Sequence, residues 1–288
     1  MAIYFGNDKI KEIYYGSDKI KEVYYGSEKV WGGIDYPQDG YWVHKDTGVK
    51  TYFGLDDPSI VDGVMSPPSW GPDCSEVNIP EGVVSLGNRC FRNCTSLTSI
   101  TLPEGITSLG DSCFASCRSL PSITLPESLT SLGTYCFMYC RVLTSITIPE
   151  SVVSLGIYCF TGCTSLTSIN ILEGVTSLEA GCFSECSALT SITIPKSVTS
   201  IGADCFAYCE ALPSITLPES LTSLGNNCFY ACFSLTLATV LPATPPTLGS
   251  SVFYGVRSTF NIKVYSPYVD DYKTATNWAA YADKISAI

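Results

Sequence analysis

Fourteen of the fifteen cysteines fall into two series that step by 23 residues. The first is Cys90, Cys113, Cys136, Cys159, Cys182, Cys205 and Cys228; the second is Cys94, Cys117, Cys140, Cys163, Cys186, Cys209 and Cys232. Thiols in such number suggest metal ligation or disulfides. The C-x-x-x-C spacing lacks the histidines and C-x-x-C pairs of a zinc site, and the one histidine, His44, lies outside both series. Within a unit, two cysteines at i and i+4 on a helical turn have Cβ vectors poorly placed for a bridge. Bridges between units are sterically conceivable, but a chain without a leader folds in a reducing compartment. The thiols therefore read as small buried hydrophobes in a tight bend, and no metal or other cofactor is expected.

Acid–base catalysis needs titratable groups that converge in a pocket. Glu104, Glu127, Glu150 and Glu219 instead recur at one register, which makes them a solvated turn feature. A Ser/His/Asp or Cys/His set would depend on His44, and every glycine of the repeats falls at a turn rather than in a phosphate loop. No enzyme is expected. The net charge is −11, and Arg89, Arg92, Arg118 and Arg141 are too few for a basic stripe, which argues against nucleic acid as a partner. No stretch of about eighteen apolar residues predicts a membrane span. Residues 1–9 have no basic segment leading into an apolar one, so no secretory signal is read there.

The elements that carry the cysteines follow from the same 23-residue period. One unit reads C-F-x-x-C-x-x-L-x-x-I-x-L-P-E-x-V-x-S-L-G, and such a unit can bury its apolar face only against its neighbours. In the first unit Leu97, Ile100 and Leu102 mark a short strand with Ile100 and Leu102 inward and Ser99 and Thr101 outward. Repetition predicts hydroxyl rows along a parallel sheet. Pro103 and its equivalents end the strand. The C-F-x-x-C segment is expected as a short helical turn, with Phe91, Phe114, Phe137, Phe160, Phe183, Phe206 and Phe229 stacked as an aromatic spine.

These units resemble the BspA-like class of leucine-rich repeats, found in surface proteins of anaerobic bacteria, some protists and phages. The resemblance covers roughly residues 76–240 and implies a repeat solenoid; that class commonly has a small residue such as Ala where this chain has the first Cys of each unit. After Leu237 the pattern decays into a strand and a proline-started amphipathic helix through Trp278 and Ile285, which resembles the closing cap of the same class. A second repeat, of period ten, occupies the N-terminus: Ile3–Glu12, Ile13–Glu22 and Val23–Gly32. Its Tyr-x-Gly-Ser decapeptides resemble the starts of phage structural and tail-associated proteins. The expected organisation is a β module over 1–33 for anchoring or oligomerisation, a connector over 34–74 with a hairpin, a leucine-rich-repeat solenoid over 75–240, and a cap over 241–288.

Comparing units within the chain, the framework hardly varies while two registers flanking the Cys-Phe pair do. One holds Arg89, Ser112, Tyr135, Tyr158, Gly181, Asp204 and Asn227; the other holds Asn93, Ser116, Tyr139, Gly162, Glu185, Tyr208 and Ala231. Neutral drift on an exposed loop and a binding face both fit such variation. The clustered aromatics make Tyr135, Met138, Tyr139 and Tyr158 the candidate ligand patch, with Tyr208 and Tyr230 outlying. The expected function is non-enzymatic recognition or adhesion. A phage virion protein that binds a host-surface glycan or protein, assembled in the host cytoplasm as a homo-oligomer such as a trimer, is the first reading. A bacterial cell-surface or secreted adhesin is the alternative.

Overall fold

The computed structural model describes residues 40–53, 59–68 and 74–288, together with the backbone of strands Ile13–Tyr15, Asp18–Ile20, Glu22–Tyr25 and Glu28–Gly32. The chain divides into two compact units, Met1–Gln38 and Asp39–Ile288. In the first, Ile13–Tyr15 pairs antiparallel with Asp18–Ile20, and Glu22–Tyr25 pairs antiparallel with Glu28–Gly32. The side chains expected to form an oligomerisation surface there lie outside the described residues.

The second unit is a parallel β-solenoid of about ten turns. A coil typically contributes a longer strand, such as Ser145–Ile148 or Ser168–Ile171, and a two-residue strand, such as Ser131–Leu132 or Ser154–Leu155. Alternation sets which side chains go inward: Ile146 and Ile148 are buried while Ser145 and Thr147 are exposed. Threonine tightens the coils at two registers. At one, Thr167 gives both its N–H and its hydroxyl to the Thr144 carbonyl, and Thr190 does the same to Thr167. At the other, Thr130 donates both groups to Thr107, and Thr222 to Thr199.

The core between these faces is continuous. Phe91 through Phe229 stack with centroids 5.2–5.6 Å apart, and Phe253 extends the spine by one ring. Tyr281 closes its end, edge-on to Phe253 at 5.5 Å. The C-terminal cap contains less α-helix than its pattern suggests. A 3-10 turn at Ser266–Tyr268 leads into the α-helix Val269–Thr274, then a 3-10 stretch, Trp278–Lys284, and a strand, Ile285–Ala287, that pairs with Asn261–Val264. Tyr272 and Trp278 are fully buried and donate to the carbonyls of Pro242 and Pro246. At the opposite end, the hairpin of Gly40–His44 and Lys50–Phe53 lies antiparallel against Cys74–Asn78, the first strand of the solenoid face.

Residues 122–125 form no strand, so Ser145–Ile148 is unpaired on that side, and at three further junctions the missing ladder coincides with a departure in the sequence. Where other units have Thr98, Thr144, Thr167, Thr190 or Thr236, two have Pro121 and Pro213, which have no N–H to give the preceding carbonyl. Strand Ser99–Thr101 accordingly stops pairing at residue 122, and Ser191–Thr193 does not pair with Ser214–Leu217. On the Ser-Leu side, the residue after Leu is glycine at 110, 133, 156, 202, 225 and 249, where a Cβ would come within 2.3–2.6 Å of the backbone of the preceding coil. Glu179 takes that place in one unit, and there Ser154–Leu155 and Ser177–Leu178 fail to pair.

Candidate functional site: the turn face

The C-F-x-x-C bend is not α-helical. It is a run of i→i+3 turns, with Cys90 N–H donating to Gly87, Arg92 to Arg89 and Cys94 to Phe91. The third residue of the first turn, Arg89, has φ +61°, and the third residue of the last, Asn93, has φ +63°. That is the sign a type II turn demands at its third position. Both registers repeat it along the solenoid, from Ser112 and Ser116 to Asn227 and Ala231. The two variable registers are therefore the two left-handed positions of every bend. Their N–H groups bond the next coil: Tyr135 donates to the Ile157 carbonyl, Tyr139 to Thr161 and Tyr158 to Ala180.

The cysteines line the inside of this bend. The fourteen ladder thiols are free and buried. In the second series, from Cys117 to Cys232, each Sγ donates to the phenylalanine carbonyl of an earlier coil, as Cys140 does to Phe114 at 3.2 Å and Cys163 to Phe137 at 3.2 Å, whereas Cys94 is hydrogen-bonded to the Cys74 side chain. The residue thus supplies a small apolar volume and a weak donor at once, which serine would fill at a greater desolvation cost and alanine without the bond. Burial pushes the thiols of Cys140, Cys159, Cys186 and Cys232 up to about 12. They stay protonated at neutral pH, which removes them as nucleophiles. Among the described residues no group of three His, Cys, Asp or Glu side chains could hold a metal ion.

Tyr135, Tyr139, Tyr158 and Tyr208 all occupy left-handed positions, at φ +59°, +59°, +55° and +62°. Tyr135 stacks on Tyr158 at 5.5 Å and 7°, which brings these two together as a stacked pair. The rings lean toward the next coil: Tyr158 occupies the space a Cβ at Gly181 would need, and Tyr139 does so at Gly162. The Tyr139 ring forms a separate element, with the Arg141 guanidinium 5.8 Å from its centroid. Met138 is half-buried in a third register, between Ala115 and Thr161, and its carbonyl accepts the Ser116 N–H. Tyr208 and Tyr230 meet edge-on at 5.6 Å. Tyr230 also stacks on Tyr254 at 5.3 Å, a partner hidden in the sequence because the step there lengthens from 23 to 24 residues. Tyr208 further walls a hollow of about 320 Å³ with Thr164, Glu185, Ser187 and Glu210.

Comparison with known proteins agrees with this architecture. The BspA-type leucine-rich repeat region matches six copies over residues 70–190 and 176–269. A leucine-rich repeat protein from Bacteroides ovatus is similar over 79% of this chain and 70% of its own, at 26% identity and TM-score 0.56. A T. pallidum leucine-rich repeat protein is 31% identical over 54% of this chain and 76% of its own, with TM-score 0.50. No curated protein matches. Repeats of this type are typically non-enzymatic scaffolds that mediate protein binding, and no catalytic family is indicated. With its repeat, its solenoid and two solved relatives in agreement, the chain belongs to the BspA-type leucine-rich repeat family.

Proposed function

We propose that this protein is a non-enzymatic recognition protein whose turn face, centred on Tyr135, Tyr139 and Tyr158, binds a cell-surface glycan or protein. One observation carries the reading: Tyr135 and Tyr158 stack on the outside of the bend, with Tyr135 left exposed. The left-handed backbone beneath them is common to the whole register, which Arg89, Ser112, Asp204 and Asn227 also occupy, so the fold does not require aromatic rings there. Tyr135 and Tyr208 remain 38% and 43% exposed, enough to offer an apolar plane and a hydroxyl to a partner. Glu185 and Glu210 beside Tyr208 favour neutral or cationic partners over anionic polymers.

Display on a phage virion through residues 1–33 is the reading we favour, because the period-ten repeat resembles the starts of phage structural proteins. Display on a bacterial surface is the second, supported by the bacterial sources of both solved relatives. A triple variant, Tyr135→Asn, Tyr139→Asn and Tyr158→Asn, tests the face, since asparagine tolerates the left-handed region. Binding to whole bacteria and to a glycan array should fall while the melting temperature holds; unchanged binding by a folded variant refutes the face. Antibody labelling of purified phage particles against intact cells separates the two sites of display.

A further inference from the structure

The junction opened by Pro213 contains a cavity of about 590 Å³, lined by Ile192, Thr193, Ile194 and Lys196 on one coil, Thr216, Pro218, Glu219 and Ser220 on the next, and Leu241. Its position follows from the missing ladder. Thr144, Thr167 and Pro213 each receive an N–H from the following coil at this register, whereas the Thr190 carbonyl receives none because residue 213 is proline. Ile192 is half-buried, while its equivalents Ile100, Ile123, Ile146, Ile169 and Ile215 are all buried. Ile100 and Ile123 flank the other proline junction and remain covered, so proline alone does not uncover the apolar floor.

A second departure from the repeat sits at the same place. Glu104, Glu127, Glu150, Glu173 and Glu219 share a register in which Lys196 is the one basic residue. The Glu173 carboxylate is engaged by the backbone rather than by the Lys196 ammonium, its two oxygens accepting the N–H groups of Lys196 and Ser197 at 3.2 and 3.1 Å. Among the described residues no ion pair joins Lys196 to Glu173 or Glu219. The cavity lining therefore combines aliphatic side chains, a cation from one coil, an anion from the next, and the side chains of Thr193 and Thr216.

We propose that this cleft binds a short peptide with apolar side chains, its carboxylate at Lys196, its ammonium at Glu219 and its side chains on Ile192, Ile194 and Leu241. Both charges of a free peptide find an opposite partner. A volume in the range of small-ligand pockets accommodates two or three residues. The lining contains no aromatic ring on which a sugar could stack, which favours a peptide over a glycan.

Calorimetric titration of the full chain with the tripeptide leucyl-leucyl-alanine tests this site. Saturable binding at a ratio of one is expected. The Lys196→Glu variant should weaken it by about fivefold for loss of one exposed ion pair, and the N-acetylated, C-amidated tripeptide, which loses both pairs, should bind more weakly still. Pro213→Thr restores the residue that binds the coils together elsewhere, and should abolish binding while leaving the fold intact or more stable. The Tyr135/Tyr139/Tyr158 variant should bind the tripeptide normally, which keeps this site separate from the turn face. No heat of binding at millimolar peptide, retained affinity in a folded Pro213→Thr variant, indifference to Lys196→Glu, or binding of maltotriose in place of the peptide would each overturn the proposal.

Discussion

The glycines that follow Leu in each Ser-Leu strand allow a direct test of what holds adjacent coils together. A Cβ at Gly156 would lie 2.3 Å from the Gly133 carbonyl carbon and oxygen and 2.4 Å from the Thr134 nitrogen. These are backbone atoms, so Gly156→Ala has to part the two coils. Three sets of bonds are at stake: Gly156 N–H to Leu132, Val153 N–H to Thr130, and the pairing of Ser131–Leu132 with Ser154–Leu155. At about 0.5–1.5 kcal/mol for each bond, the loss is roughly 1.5–4.5 kcal/mol. The reduced entropy of an unfolded chain with alanine opposes this by about 0.4–1 kcal/mol. A net destabilisation of about 1–4 kcal/mol should lower the melting temperature by roughly 2–4 °C for each kcal/mol in a unit of this size. Gly105→Ala supplies the control, because its Cβ would meet only the Val83 carbonyl oxygen at 3.8 Å and its φ is not positive. It should be neutral or gain up to about 1 kcal/mol. Urea unfolding followed by circular dichroism reads both. Equal midpoints for Gly156→Ala and the wild type, or equal damage at both sites, would refute the claim that close approach at these glycines sets the coil spacing.

Thiol reagents at pH 8 should leave the ladder cysteines untouched in the folded chain and modify them after denaturation; extensive labelling before unfolding contradicts their burial. The raised thiols also predict alkaline sensitivity, with full stability below about pH 8.5, the ordinary thiol value. Between there and about 12 the unfolded chain loses protons that the folded chain keeps. Stability should then fall by about 1.4 kcal/mol per pH unit for each such thiol, and a flat pH profile up to 11 contradicts the sign. Phe160→Ala, which removes a fully buried ring from between Phe137 and Phe183, should cost about 3–5 kcal/mol, and tolerance of the change would mean the spine carries little of the core energy. Deleting residues 1–33 should convert a self-associating chain into a soluble, folded solenoid, and light scattering that finds the full chain monomeric counts against the oligomer.

Much of this fold is legible because each repeat states the same instructions. The period, the inward Ile and Leu, the phenylalanine spine and the outward hydroxyls all follow from one unit. The bend was harder to read: two cysteines four apart have helical spacing, but the left-handed residues between and before them turn the chain differently, and Tyr or Arg at those positions gives no glycine-like signal. The interruptions were visible as single departures, Pro213 for threonine, Lys196 for glutamate and Glu179 for glycine, yet their meaning depends on which backbone atoms the replaced residue would have met. The candidate tyrosines were legible as a cluster, whereas their division into a stacked pair and a separate ring depends on which register each occupies. Tyr254 lay one residue out of step and so outside any comparison at a fixed period.

The unpaired junctions do not lie on one line. Those beside Pro121 and Pro213 are on the longer-strand side of the coil, and that at Glu179 is on the Ser-Leu side, where the two strands still lie beside each other. The turn side stays bonded past all of them, through Phe91 to Cys113, Phe114 to Cys136, Phe160 to Cys182 and Phe183 to Cys205. One wall of the coil lacks its ladder at these places while the turn wall keeps its hydrogen bonds, so bending that widens the unpaired wall is expected to cost less than stretching the column of stacked rings and thiols.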